Sequence, residues 1–194
     1  MGEGERYTME SDIINYRKST TLPSGLHVTV RLLTPADRDG LLAMFACATK
    51  DDLQYFRDDV TDRTLISSWA EHVDVKRVIP LMAEIGGRIA GQATLHRGRG
   101  YNRHVAEVRI FVCREFRGRG VGTALIQGIV DVAKLAGLHH IFTLSVSSKT
   151  QDMRAFEGLG FRMEGSLRDR FMDAEGNTYD MIEMALRLKR EAGF

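Results

Sequence analysis

The segment Arg117-Gly118-Arg119-Gly120-Val121-Gly122 carries the residue types and spacing best suited to chemistry. Its glycines let the main chain approach a ligand closely. It follows an apolar run and opens a stretch of helical periodicity. The N–H groups of the first helical turn are therefore unpaired and converge on one spot, where the helix dipole adds positive character. Such a concavity suits an anion, and a pyrophosphate fits it. A P-loop would end in Gly-Lys-Ser/Thr, whereas Gly122 precedes Thr123 and Ala124. A dinucleotide fingerprint begun at Gly118 and Gly120 would need glycine where Thr123 stands. A second Arg-Gly-Arg-Gly, Arg97 to Gly100, lies between two strand-like runs and precedes no helix, so it reads as a hairpin loop. Context, rather than the tetrapeptide, carries the inference, and a plain strand-to-helix turn is the other reading of Arg117 to Gly122.

Glu107 is an acidic residue inside the otherwise apolar run Val105 to Val112. Two readings stay open for it: a general base, or a partner of Arg109 or His104 on a wet sheet face. Cys113 ends the same run, as a nucleophile or as a small apolar residue. The two cysteines, Cys47 and Cys113, form no CxxC pair, and Met1 to Thr20 is polar without an apolar signal core. A cytoplasmic location with free thiols is therefore expected. The six histidines show no ligand spacing, so no metal is expected. A net charge of +1 supports no nucleic-acid partner, and no apolar run approaches a membrane span. The Arg-Gly segments lack the interleaved aromatics of an RNA binder.

Elements must position these residues. Tyr16–Thr21 and Leu26–Leu33 flank Pro23-Ser24-Gly25 and predict a hairpin. Thr34-Pro35 opens a helix with Leu41, Leu42, Phe45 and Ala48 on its apolar stripe. A second helix is expected over Arg63–His72. Val78–Ile85 and Ile89–His96 form a hairpin about Gly86-Gly87. Val105–Val112 is a strand, and Gly120–Ala136 a helix with Leu125, Ile129, Val132 and Leu135 on one side. Ile141–Val146 is a strand and Thr150–Leu159 a short helix. A last hairpin joins Arg162–Met172 to Thr178–Leu188. The order is that of a mixed α/β layer around one sheet.

Arg117-x-x-Gly120-x-Gly122 after a strand, with Leu159-Gly160-Phe161 closing the last helix, resembles the Gcn5-related N-acetyltransferase (GNAT) family. The likeness covers about Leu26 to Leu188. It implies an α/β (α+β) fold with a central mixed, mostly antiparallel twisted sheet of about seven strands, flanked by about four helices. The family's fourth and fifth strands, here Val105–Cys113 and Ile141–Ser147, splay apart. It further implies a GNAT acetyltransferase domain over residues 26–190, with residues 1–25 an N-terminal extension carrying the first hairpin strand. Acetyl-CoA is the implied co-substrate. Backbone groups of Phe111 and Val112 would hold pantetheine and the acetyl oxygen. Arg117, Gly118, Arg119, Gly120, Val121, Gly122 and Thr123 would hold pyrophosphate, with Ser147 and Phe156 completing the coenzyme set.

The implied reaction moves acetyl to a primary amine by direct attack. Neutralising a lysine-like amine at pH 7 costs roughly 4–5 kcal/mol, which calls for a base. Glu107, in Ala106-Glu107-Val108, resembles the catalytic glutamate of the bacterial protein-lysine acetyltransferases of this family. Two positions depart from the common pattern. Lys149 stands where many members have Asn, and Phe156 where many have a tyrosine acid, so no acid is assigned.

The acceptor is expected near Lys50–Asp62 and about Arg168–Asp180. Asp51, Asp52, Asp58 and Asp59 there would draw a cation or form a solvated acidic loop. Val28 to Arg31, Thr34 to Asp37 and Gln54 to Phe56 resemble the protein-lysine enzymes. Glu164 to Asp169 instead resembles GNATs acting on ribosomal-protein N-termini or small amines, so the acceptor, small molecule or protein, stays open. A catalytically weak acetyl-CoA sensor is the alternative, and a homodimer is compatible with the family.

Overall fold

The computed structural model describes residues 10–188. Residues 1–9 of the expected extension and 189–190 of the expected domain lie outside the described residues. The chain forms β1 (Arg17–Thr21), β2 (His27–Leu32), α1 (Arg38–Phe45), α2 (Lys50–Leu53), α3 (Arg63–Glu71), β3 (Val78–Ile85), β4 (Arg88–Arg97), β5 (Val105–Val112), α4 (Val121–Leu135), β6 (His140–Val146), α5 (Thr150–Gly158), β7 (Arg162–Met172) and β8 (Thr178–Arg187). One sheet takes them in the order β1-β2-β3-β4-β5-β6-β8-β7. All neighbours pair antiparallel except β5 and β6.

The expectation of about seven strands gives way to eight, because β1 pairs with β2 from Arg17↔Arg31 to Thr21↔His27. β1 is exposed throughout, so main-chain hydrogen bonds rather than burial hold it at the edge. The extra strand shifts the expected splayed pair to fifth and sixth place in the chain.

Strand alternation sorts the side chains to two faces. On one face Ala93 and Leu95 of β4 stand across from Ile110 and Val108 of β5. α4 packs there, with Val121, Leu125, Ile129 and Val132 fully buried, each such burial stabilising by about 1.5–3 kcal/mol. A Cβ at Gly128 would lie 2.9 Å from Val30 Cγ1, so the absent side chain is what lets the helix sit this close to the sheet. α5 and Phe161 join the same core.

The opposite face carries a smaller apolar layer of Leu33, Leu41, Met44, Phe45, Ile66, Ala70, Met82 and Cys113. Phe45 centres its aromatic part, stacked on Phe111 at 6.0 Å and edge-on to Phe56 and Trp69. α1 begins after a short 3-10 turn, Pro35–Asp37, instead of directly at Thr34. The Thr34 N–H and hydroxyl both donate to Asp37 Oδ2, which halts the chain before the α-helix starts. α3 starts where the Asp62 carboxylate accepts from the N–H groups of Thr64 and Leu65.

Candidate active site

β5 and β6 run parallel but pair at only three positions: Val105↔His140, Ala106↔Ile141 and Glu107↔Phe142. Beyond Glu107 both strands continue, β5 to Val112 and β6 to Val146, without pairing. β6 is held on its other side by β8 along its whole length, and β5 likewise by β4. The gap is therefore fixed by its outer neighbours.

Main-chain direction within β5 follows from its partner. The N–H of Cys113 donates to the Ala90 carbonyl, and that of Gly98 to Val105. Odd-numbered main-chain groups of β5 thus face β4, and those of Ile110 and Val112 face the gap. Of the two residues expected to hold pantetheine through the backbone, Val112 is so oriented. Phe111 turns its main chain to β4 and its ring to the smaller apolar layer.

The loop after β5 turns through Arg114–Phe116 and reaches α4 by Gly118 (φ +69°) and Gly120 (φ +92°). Both are left-handed, which costs an L-residue about 1–2 kcal/mol. Ala124 is the first residue of α4 whose N–H turns back, to Gly120 O at 3.1 Å. The N–H groups of Val121, Gly122 and Thr123 precede it without helical acceptors. Gly122 is informative by elimination. Its φ is not left-handed, and a Cβ there would meet nothing nearer than Ile110 Cδ1 at 3.7 Å. Neither conformation nor packing within the protein requires glycine, which leaves room for a ligand against the helix N-terminus. A pyrophosphate fits this cradle.

Arg117 does not point its side chain at that cradle. Its Nε donates to Val112 O at 2.8 Å, its Nη2 to Asp52 Oδ1 at 2.8 Å, and its guanidinium lies over the Phe111 ring. Ser147 spends its N–H on Asp180 O. Phe156 is 7% exposed in the larger core, edge-on to Phe161.

The opposite side of the gap is made of side chains. Glu107, 14% exposed, receives Arg57 Nη2 at 2.6 Å and Arg109 Nη2 at 3.2 Å. His96 stands across from it on β4, and its ring meets Thr94 Oγ1 at 2.9 Å. Burial, then the charge of Arg109, lowers the His96 pKa to about 4, so this imidazole is neutral at physiological pH. Tyr55 stacks on Phe171 at 5.1 Å, and Lys149 Nζ lies 4.7 Å over the Tyr55 ring. The two expected acceptor loops therefore meet. The acidic character of the first is partly spent locally. Asp59 caps Thr61, and Asp52 closes a capping box with Thr49 while pairing with Arg117. Among the described residues no group of three or more His, Cys, Asp or Glu side chains is arranged to hold a metal.

One expectation is overturned outright. Cys47 and Cys113 form a disulfide, and no free cysteine remains. The fold brings the end of α1 onto the end of β5, with the two Cα atoms 6.0 Å apart. Cys113 in this state has no thiol with which to act as a nucleophile. Arg57, the pairing of Asp52 with Arg117 and the disulfide escape a reading of spacing, since each ties residues distant in the chain; the acidic residue in an apolar strand was the one local signal.

Known proteins agree with this geometry. YdaF of Bacillus subtilis, named as a ribosomal N-acetyltransferase, is 25% identical over 173 residues, covering 85% of this chain and 93% of that protein. The GNAT domain of S. lividans PAT superposes with a TM-score of 0.73 at 20% identity, over 89% of this chain and 97% of that one. The structure of yncA from Salmonella typhimurium with its cofactor acetyl-CoA gives a TM-score of 0.69 at 22% identity, over 86% and 96%. The description "Acetyltransferase (GNAT) family" matches residues 43–161. With the splayed strands, the amide cradle and this match together, the chain belongs to the GNAT family of acyl-CoA-dependent N-acyltransferases.

Proposed function

We propose that the protein transfers acetyl from acetyl-CoA directly to a primary amine, with Glu107 receiving the amine proton directly or through one water. A single observation carries the reading: the β5–β6 ladder ends at the pair Glu107↔Phe142. The carboxylate thus stands where the gap opens, on the face opposite α4. The N–H groups of Val121 to Thr123 stand at the far end of β5, where they would hold the pyrophosphate. The gap-facing N–H groups of Ile110 and Val112 lie between, where they would orient the thioester carbonyl.

The acceptor approaches from the Glu107 side, between Tyr55 and Arg57 on one loop and Phe171 near the end of β7. The name given to YdaF supports a ribosomal acceptor. Coenzyme release measured with N-terminal peptides, lysine peptides, free amino acids and small amines tests this. Glu107→Gln is expected to cut kcat at neutral pH and leave acetyl-CoA binding unchanged; equal kcat removes Glu107 from the mechanism. Acetyl-CoA binding without turnover on any amine would favour a sensor, a reading that Phe156 in place of a tyrosine permits.

A further inference from the structure

Residues 47–57 form a strap between α1 and α3, and four of its side chains are tied to β5 or the loop after it. Cys47 bonds to Cys113 across 66 residues of chain. Asp52 pairs with Arg117, the Phe56 ring lies 5.1 Å from that of Phe111, and Arg57 caps Glu107. The disulfide is the covalent member. The ion pairs hold guanidinium groups 43% and 49% exposed, which exchange readily with water. Cys113 is 3% exposed within the smaller apolar layer, while Cys47 is half-buried.

We propose that Cys47–Cys113 is a thiol–disulfide exchange site whose reactant is a dithiol, and that the bond latches the strap over Glu107. The thiolate of the dithiol attacks the more accessible Cys47 sulfur, the protein S–S bond breaks, and Cys113 leaves as a thiolate that takes a proton. The second thiol of the reagent then attacks the mixed disulfide and releases Cys47 as a thiol. Two electrons pass to the cysteines, and the reagent departs as its own disulfide. A low-molecular-weight disulfide reverses the sequence and leaves as two thiols.

With the latch closed, Arg57 is held on the carboxylate that must accept the amine proton. With it open, the strap keeps only reversible contacts and Arg57 withdraws. The amides of Gly118–Thr123 lie outside the segment that the disulfide closes, so the grip on the pyrophosphate, where they would hold it, is independent of the latch. The catalytic part rests on the acetyl-transfer reading above.

Hydrogen exchange of residues 47–57 in the full chain, oxidised and after dithiothreitol, tests the latch without requiring turnover. A mass gain of two hydrogens verifies reduction. Exchange at least about fivefold faster in the reduced protein is expected, with Cys47→Ser and Cys47→Ala behaving as reduced whether or not reductant is present. On the amine giving fastest coenzyme release, kcat/KM is expected to rise about threefold or more on reduction in the parent and to stay level in both variants, with acetyl-CoA Kd within about twofold throughout. Equal exchange in the two states, or kcat/KM that holds or falls on verified reduction, would overturn the latch. A protein that turns over no amine in either state would instead overturn the acetyl-transfer reading.

Discussion

The two sides of the gap between β5 and β6 are built from different material. The side proposed for the coenzyme is main chain: left-handed Gly118 and Gly120, the amides of Val121 to Thr123, and the strand-edge groups of Ile110 and Val112. The side proposed for the acceptor is side chain: Glu107, Arg57, Arg109, His96, Tyr55 and Phe171, drawn from four strands or loops. A main-chain site tolerates variation in the surrounding side chains as long as its glycines stay. A side-chain site can be retuned residue by residue. One scaffold can thus keep a fixed coenzyme while the acceptor changes.

That contrast can be broken or sharpened by substitution. The largest effect is expected on the acceptor side, where Glu107→Gln should lower kcat about 100-fold or more, read by thiol release at saturating acetyl-CoA. On the coenzyme side Gly122→Val should weaken acetyl-CoA about tenfold, equivalent to about 1.4 kcal/mol, by calorimetry. Gly122→Ala is the stability control and should scarcely move the thermal midpoint, because outside the helix's own backbone and its chain neighbours a Cβ there meets nothing nearer than Ile110 Cδ1 at 3.7 Å. Cleavage of Cys47–Cys113 should lower unfolding free energy by about 2–4 kcal/mol, seen as an earlier urea midpoint under reductant that Cys47→Ala reproduces without it.

A pH series addresses His96. Its folded pKa is lowered by burial and then by Arg109, so the unfolded chain takes up this proton first on acidification. Its contribution to stability should fall as pH drops from about 6.5 to about 4 and then level off. His96→Gln should flatten that slope in urea titrations. The smallest effect belongs to Asp52→Asn, at most about 1 kcal/mol for a pair with one half-exposed partner. Burial raises the Asp52 pKa, but hydrogen bonds from Thr49 and from Arg117 outweigh it and bring the value down. This contribution is present above the ordinary carboxylate pKa and is lost as pH falls through the lowered one. The difference between parent and Asp52→Asn should therefore vanish in acid.

Legibility in the sequence followed the same division. The Gly118–Gly122 loop was readable because local backbone demands leave local residues. The hairpins about Gly25 and Gly86-Gly87 were readable for the same reason, all three glycines being left-handed. The strand Val105–Val112 was recognisable as an apolar run. The position at which its pairing with β6 stops was not, since that depends on how β4 and β8 hold the two strands. Arg57 reaches Glu107 across 50 residues and Cys47 reaches Cys113 across 66, distances over which spacing carries no information. The absence of a CxxC pair suggested free thiols, yet two cysteines need only meet in space to bond. Glu107 is paired with Arg109, as one of its two readings expected, while the other, a general base, is the reading proposed above.

The division of the apolar interior by the sheet carries a consequence for how the molecule can be rebuilt. Leu33 through Ala70, with Met82 and Cys113, form a layer apart from the one under α4, and Phe116 borders both. The stretch from Leu33 to Glu71, the end of α3, is thus a natural cassette. A chimera that grafts the corresponding stretch of another family member should reprogram amine selection while leaving nucleotide grip intact, provided the graft keeps an apolar floor for Met82 and Phe111.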